Sequence, residues 1–115
     1  MQTYEAVLDA LGDATRRQIL SCLRAGPAAV GELAAQLPVS RPAISQHLRI
    51  LRDADLVTFE TSGTRNVYRL EAAGLESLRG WLDGFWETVL ESFAARAADV
   101  AGTAAPHPQK GSTHE

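Results

Sequence analysis

The sequence contains one cysteine, Cys22, among its 115 residues. A single thiol excludes an internal disulfide, which agrees with a reducing compartment. No run of about 18 apolar residues is present, so we expect no membrane span. The first residues also lack the basic stretch and apolar core of a signal peptide. These absences predict a cytoplasmic protein with no membrane partner.

The sequence also lacks motifs of catalysis. It has no glycine-rich phosphate loop, no nucleophile motif and no histidine–carboxylate constellation. Asp83 and Glu87 share one face of a predicted helix, but such carboxylates are usually only solvated. Cys22 lies on the apolar side of the segment ILSCLR, which indicates a buried small side chain and leaves any redox role open. We therefore predict that the protein is not an enzyme.

Lysine is almost absent, since ten of the eleven basic residues are arginine. The net charge is −3, yet residues 40–70 carry five arginines against three acids. Residues 71–115, by contrast, carry seven acids against three basic residues. A polyanion would be attracted to the middle third of the chain and repelled by the last third. The acidic total therefore does not exclude a nucleic-acid partner.

Apolar residues recur at helical spacing in the first half of the chain. The predicted helices are residues 3–11, a helix from its N-cap Asp13 to the stop AGP at 25–27, residues 30–37, and a helix after the N-cap Ser40. In the fourth helix, Ile44, Leu48 and Leu51 form an apolar stripe that can pack against the preceding helices. A short PVS turn before an amphipathic helix with a polar outer face is typical of a helix-turn-helix.

Two segments rich in β-branched and aromatic residues follow. LVTFE at 56–60 and RNVYRL at 65–70 flank TSGT, in which Gly63 is the turn residue. This pattern predicts a β-hairpin with a loop of about four residues. A hairpin directly after a helix-turn-helix is the arrangement of a winged helix, so we predict a mainly α fold with a small β-hairpin.

Helical spacing returns from Glu71 to about Val100, where leucines and aromatic residues form a long apolar stripe. If exposed, this stripe would exceed the apolar patches that monomers usually tolerate. We therefore predict that the last helix packs against its symmetry mate and against the first helix; the alternative is that it folds back on its own domain. The predicted dimer-interface residues are Tyr4, Leu8, Leu78, Leu82, Phe85, Trp86, Val89 and Phe93.

The polar face of the fourth helix is suited to reading DNA. A major groove admits one α-helix, arginine pairs with guanine, and glutamine pairs with adenine. Arg41, Ser45, Gln46 and Arg49 are therefore candidate base readers, while Arg52 is better placed for phosphate and Arg65 for phosphate or a minor groove. His47 borders the apolar stripe and is interpreted as a partly buried, hydrogen-bonded histidine. The predicted DNA-binding residues are Ser40, Arg41, Pro42, Ser45, Gln46, Arg49, Arg52 and Arg65.

Three segments carry a family resemblance: LGDATRRQIL, SQHLRILRDADLV and GTRNVYRL, all within residues 11–70. Together they resemble the ArsR-type family of winged-helix bacterial repressors. The resemblance implies a homodimer that binds double-stranded DNA at a palindromic operator and blocks transcription. We thus predict a DNA-binding and dimerisation domain over residues 1–100 and a disordered tail over 101–115. The alternative is a winged-helix protein-interaction module that does not bind DNA.

Many members of that family sense metals. Where the family pattern is close to Cys-Val-Cys, this sequence has AAVGEL at 28–33, without a thiol, and no histidine lies between residues 48 and 106. Soft and borderline ions prefer thiolate or imidazole ligands. His107 and His114 lie in the predicted tail and are weak evidence for a site. We predict no metal site and no cofactor, as in the metal-independent members of the family, and the effector ligand stays unassigned.

Overall fold

The computed structural model describes residues 4–103, which form five helices and a three-stranded antiparallel sheet. In chain order the elements are α1 (Tyr4–Leu11), α2 (Ala14–Ala25), β1 (Ala28–Ala29), α3 (Val30–Gln36), α4 (Arg41–Asp53), β2 (Val57–Ser62), β3 (Arg65–Leu70) and α5 (Ala72–Thr103). The mainly α fold, the helix-turn-helix of α3 and α4, and the following wing of β2 and β3 are confirmed.

Local capping interactions define where α2 and α4 begin. The carboxylate of Asp13 accepts a hydrogen bond from the backbone N–H of Arg16 at 3.1 Å. The hydroxyl of Ser40 accepts one from the N–H of Ala43 at 3.3 Å, and Pro42 lies in the first turn of α4. Each cap satisfies an N–H group that has no partner inside the helix, and both predicted helix starts are confirmed.

The core lies where α4 packs against the three preceding helices. Ile44, Leu48 and Leu51 are fully buried, as the apolar stripe predicts. They join a cluster to which α1, α2 and α3 each contribute a fully buried residue; these are Val7, Ile19 and Leu33. Because one side of α4 is held in this core, its opposite side must face outward.

The sheet contains a strand that the sequence pattern does not predict. β1 pairs with β3 through Ala28 opposite Tyr68 and Ala29 opposite Val67, so the strand order is β1-β3-β2. Two alanines carry no β-branched or aromatic signal, and the edge of β3 supplies their partner only in the folded chain.

The loop of the wing is shorter than predicted. Ser62 pairs directly with Arg65, which leaves two loop residues, Gly63 and Thr64, instead of about four. Gly63 has φ 65°, and a glycine at the first position of a two-residue hairpin loop suits the right-handed twist of the strands.

The last helix, α5, runs three residues past the predicted domain end at residue 100. The rest of the predicted tail lies outside the described residues, and the division into 1–100 and 101–115 stays a prediction. The chain forms one compact unit up to Trp81, which holds the winged helix, and a second from Leu82. Over residues 4–103, no helix has the length and apolarity needed to cross a membrane.

We expect Leu48→Ala to lower the free energy of unfolding by about 2–5 kcal/mol, because Leu48 is fully buried and its removal leaves a cavity. Ile50→Ala is the matched control on the same helix, since Ile50 is 37% exposed; we expect a loss of about 1 kcal/mol or less. Urea unfolding of both variants measures the difference. Equal losses would contradict the assignment of the buried face.

Candidate nucleic-acid interface

The outer face of α4 presents the side chains that the sequence predicts for DNA. All of the predicted DNA-binding residues are exposed; these are Ser40, Arg41, Pro42, Ser45, Gln46, Arg49, Arg52 and Arg65. They lie on the side of α4 away from its buried stripe or on the wing. Ser40 also uses its hydroxyl to cap α4. The outward direction of these groups follows from the packing of the opposite face.

A cleft of about 540 Å³ lies between α3, the start of α4 and the wing. Its lining includes Arg41 and Ser45 from α4 together with Arg65, Asn66 and Tyr68 from the wing. The fold thus brings Arg41 and Arg65 to one cleft although they are far apart in the sequence. Two guanidinium groups in an open cleft form a binding place for an anion such as a phosphate group.

The guanidinium of Arg41 lies close over Gly31 of α3. A Cβ atom at Gly31 would lie only 3.0 Å from Nη2 of Arg41 and 3.3 Å from its Cζ. A side chain at residue 31 would therefore displace the guanidinium. Arg41 thus lies over α3 and lines the cleft, and its predicted role in reading bases stays a prediction.

Glu32 also lines the cleft, and sequence reasoning missed it. Its Oε1 accepts a hydrogen bond from the backbone N–H of Ala29 at 2.7 Å, and its Oε2 lies 3.7 Å from Nη2 of Arg65. The position of an acid in the first turn of α3 is a local capping signal, but the contact with Arg65 exists only after folding. Both side chains are more than half exposed, so the ion pair contributes little stability.

The side chain of Arg52 extends from α4 to the wing. Its Cζ is 5.0 Å from the ring centroid of Phe59, which in turn is 5.2 Å from the ring of Tyr68. A guanidinium above an aromatic ring is held by attraction to the ring face while its N–H groups stay available. The structure thus gives Arg52 a packing role beside the phosphate contact predicted for it.

His47 is half-buried, and its Nδ1 lies 3.3 Å from Nη1 of Arg16. The interpretation of His47 as a partly buried, hydrogen-bonded residue is confirmed. Arg16, which sequence reasoning missed, also donates from Nε to the carbonyl of Ala10 at 2.7 Å and from Nη2 to the carbonyl of Asp9 at 3.2 Å. Arg16 therefore connects the end of α1 to the middle of α4.

Asp13, the N-cap of α2, adds a negative charge beside Arg16 and His47. The hydrogen bond from the backbone N–H of Arg16 lowers the pKa of Asp13 below its ordinary value; desolvation opposes this effect, and the charge of Arg16 adds to it. Asp13 therefore stays ionised beside the contact between Arg16 and His47.

Of the eight residues predicted for a dimer interface, six are exposed and two, Tyr4 and Leu78, are half-buried. Leu82, Phe85, Trp86, Val89 and Phe93 are between 49% and 61% exposed, and Leu8 is 38% exposed. Tyr4 stacks on Trp81 with ring centroids 5.2 Å apart, which confirms the predicted contact between the first and last helices. Leu78 is half-buried and packs against the chain's own core, and its place in a dimer interface stays a prediction.

Within residues 4–103, no group of three or more His, Cys, Asp or Glu side chains is arranged to hold an ion. Cys22 is a free, half-buried thiol packed beside the core, in line with its interpretation as a small apolar residue. His107 and His114 lie outside the described residues.

Comparison with known proteins agrees with this geometry. The family model described as "Bacterial regulatory protein, arsR family" matches residues 13–58. The HTH-type transcriptional regulator Rv2034 of Mycobacterium tuberculosis is 52% identical over 97 residues, which cover 82% of this chain and 91% of that protein. The transcriptional repressor SdpR of Bacillus subtilis is 34% identical over 79 residues, covering 69% of this chain and 88% of that protein.

A solved structure shows the same fold. The ArsR-like transcriptional regulator from Rhodococcus sp. RHA1 aligns with a TM-score of 0.73 and 32% sequence identity, covering 87% of this chain and 91% of that chain. The alignment extends well beyond the helix-turn-helix, so the likeness includes elements outside the segment that the family model matches.

Proposed function

Since the chain belongs to the arsR family of bacterial regulatory proteins, we propose that it is a sequence-specific, dimeric transcriptional repressor that binds a palindromic operator without sensing a metal. The observation that carries this proposal is the exposed polar face of α4 beside a cleft with arginines from both α4 and the wing. The name of the relative SdpR, a transcriptional repressor, supports repression over activation.

The proposed base readers are Ser45, Gln46 and Arg49. They are exposed on the N-terminal and middle turns of α4, opposite the residues buried in the core. When α4 enters a major groove, the amide of Gln46 can pair with adenine and the guanidinium of Arg49 with guanine. Ser45 is small enough to allow the helix backbone to approach the bases.

The proposed phosphate contacts come from the arginines around the cleft. Arg41 over Gly31 and Arg65 on the wing face the same open space. A DNA strand that passes between the recognition helix and the wing would place a phosphate there, and Arg65 would exchange Glu32 for it. Arg52, held above Phe59, extends the basic surface toward the wing.

The proposed dimer uses the apolar residues of α1 and α5. Trp86 and Phe93 are 61% and 59% exposed in the single chain. Large aromatic side chains remove much apolar area from water when they are buried. A second copy that covers Trp86 and Phe93 would therefore stabilise the dimer. Two-fold symmetry then presents two recognition helices to successive major grooves, which gives a palindromic operator.

Metal independence is proposed from the chemistry of the side chains. The segment AAVGEL at 28–33 stands where a thiolate site of the family would need cysteines, and it contains no thiol. The signal that releases the DNA would then be something other than a soft metal ion.

We expect Gln46→Ala and Arg49→Ala each to weaken binding to the operator by roughly 1–3 kcal/mol, with little change on unrelated DNA, because base contacts distinguish sequences. The operator is first selected from a pool of random duplexes by the purified protein, and affinities are then measured by fluorescence anisotropy at several salt concentrations. Arg24→Ala is the charge control, since Arg24 is exposed at the end of α2.

Arg65→Ala provides the contrast in the same measurement. A lost phosphate contact should weaken binding to all DNA and reduce the slope of log K against log salt by about 0.9. Equal losses on operator and unrelated DNA for Gln46→Ala and Arg49→Ala would contradict base reading. If the wild-type protein selects no DNA sequence at all, the DNA-binding proposal is wrong and the protein-interaction module is favoured.

We expect Trp86→Ala to shift the protein toward monomer and to weaken operator binding at the same time, because a truncated aromatic side chain removes apolar area from the interface. Sedimentation velocity measures the first effect and anisotropy the second. Glu87→Ala is the control, since Glu87 is exposed on the opposite face of α5. If the variant stays an intact dimer, the assignment of Trp86 to the interface is wrong. If the wild type is a monomer, the proposed dimer is wrong.

We expect operator binding to be the same, within about twofold, in excess Zn²⁺ and in excess chelator, because the described residues hold no cluster of donors for a borderline ion. Anisotropy at fixed salt measures both conditions. The control is the double variant His107→Ala, His114→Ala. A zinc effect in the wild type that disappears in this variant would overturn metal independence and assign the site to the tail histidines.

A further inference from the structure

The recognition helix α4 ends in a sharp backbone corner at Asp55. Asp55 has φ 58° and is the one non-glycine residue with a positive φ within residues 4–103. The N–H groups of Asp55 and Leu56 donate to the carbonyls of Arg52 and Leu51 at 3.0 and 2.9 Å. These bonds close the end of α4 and turn the carbonyls of the corner toward another partner.

That partner is the first turn of α5 together with Glu71, the residue before it. The N–H of Gly74 donates to the carbonyl of Asp55 at 2.8 Å, and the N–H of Glu71 donates to the carbonyl of Leu56 at 3.0 Å. The first N–H groups of a helix have no partner inside it, so the corner of α4 serves as the cap of α5. The reading helix and the last helix are thereby joined backbone to backbone.

Only glycine allows this approach at residue 74. A Cβ atom there would lie 2.4 Å from the carbonyl oxygen of Ala54 and 2.7 Å from that of Asp55. Both are backbone atoms, which cannot rotate away as a flexible side chain can. Gly80, in the same helix, would meet nothing within 4 Å, so glycine is not required there.

We propose that Gly74 is a positioning residue that sets the direction in which α5 leaves the recognition helix and thereby determines which half-site spacing the dimer reads. The inference rests on the proposed function, in which α4 reads DNA and α5 carries the dimer face. In such a dimer the distance between the two reading helices defines the spacing of the half-sites. The hydrogen bond from Gly74 to Asp55 is a backbone contact between α4 and the first turn of α5.

The test is selection of DNA from a random pool by the full-length wild type and by Gly74→Ala. We expect both proteins to select the same half-site sequence, because the face of α4 is unchanged. We expect Gly74→Ala to select a different or broader range of half-site spacings and to bind the wild-type operator about tenfold more weakly, an effect similar to one mismatched base pair. Sequencing of the selected pool reports the spacing.

Two further variants separate positioning from helix stability and from folding. Gly80→Ala adds the same methyl group to α5 without a contact, and we expect the wild-type spacing. Asp55→Gly makes the corner at the end of α4 more flexible without adding any atom. This variant should fold, because glycine accepts the positive φ of residue 55. We expect it to select a broader range of half-site spacings. This second variant keeps the proposal testable if Gly74→Ala fails to fold, which circular dichroism reports.

The outcomes distinguish the inference from the proposed function. If the wild type selects paired half-sites and both junction variants select the same spacing with the same affinity, the inference is overturned and the proposed function stands. A spacing change of equal size in Gly80→Ala would also overturn it. If the wild type selects no paired half-sites, the proposed dimeric DNA binding itself has failed.

Discussion

The burial of Ile44, Leu48 and Leu51 is the constraint on which the rest of this structure depends. These three side chains are removed from water by the core that α1, α2 and α3 form with them. A helix held along one side in this way cannot rotate about its axis without exposing apolar surface. The polar residues on the other side are therefore presented at a defined angle, which is the requirement for a helix that enters a groove.

The surface beside that helix is an assembly of groups from separate elements. Arg41 comes from α4, Glu32 from α3 and Arg65 from the wing, and the fold brings them to one cleft. The contact between Glu32 and Arg65 is more than half exposed on both sides, so it contributes little to stability.

The first and last helices connect this interface to the proposed dimer. Arg16 joins the carbonyls at the end of α1 to His47 in the middle of α4. The carbonyl of Asp55, at the end of α4, accepts a hydrogen bond from Gly74 in the first turn of α5. The end of α1 and the first turn of α5 are therefore both in direct contact with α4.

Much of the fold and of the interface was predictable from the sequence, because the signals are local. The caps at Asp13 and Ser40 act within a single helical turn, and the helical spacing of apolar residues separates the buried face of α4 from its exposed face. For the same reason the predicted DNA-binding residues are all on the surface. Their roles in binding remain predictions.

What only the tertiary structure decided involves partners distant in the chain. The strand β1 forms from two alanines because β3 offers them a free edge, and Glu32 reaches Arg65 only after the wing folds over α3. Leu78 packs against the core of its own chain because of where the start of α5 lies. Gly74 looks like any helical glycine in the sequence, and its importance follows from a backbone corner about twenty residues earlier. Spacing along the chain encodes the faces of helices, whereas contacts between elements depend on the packing that folding creates.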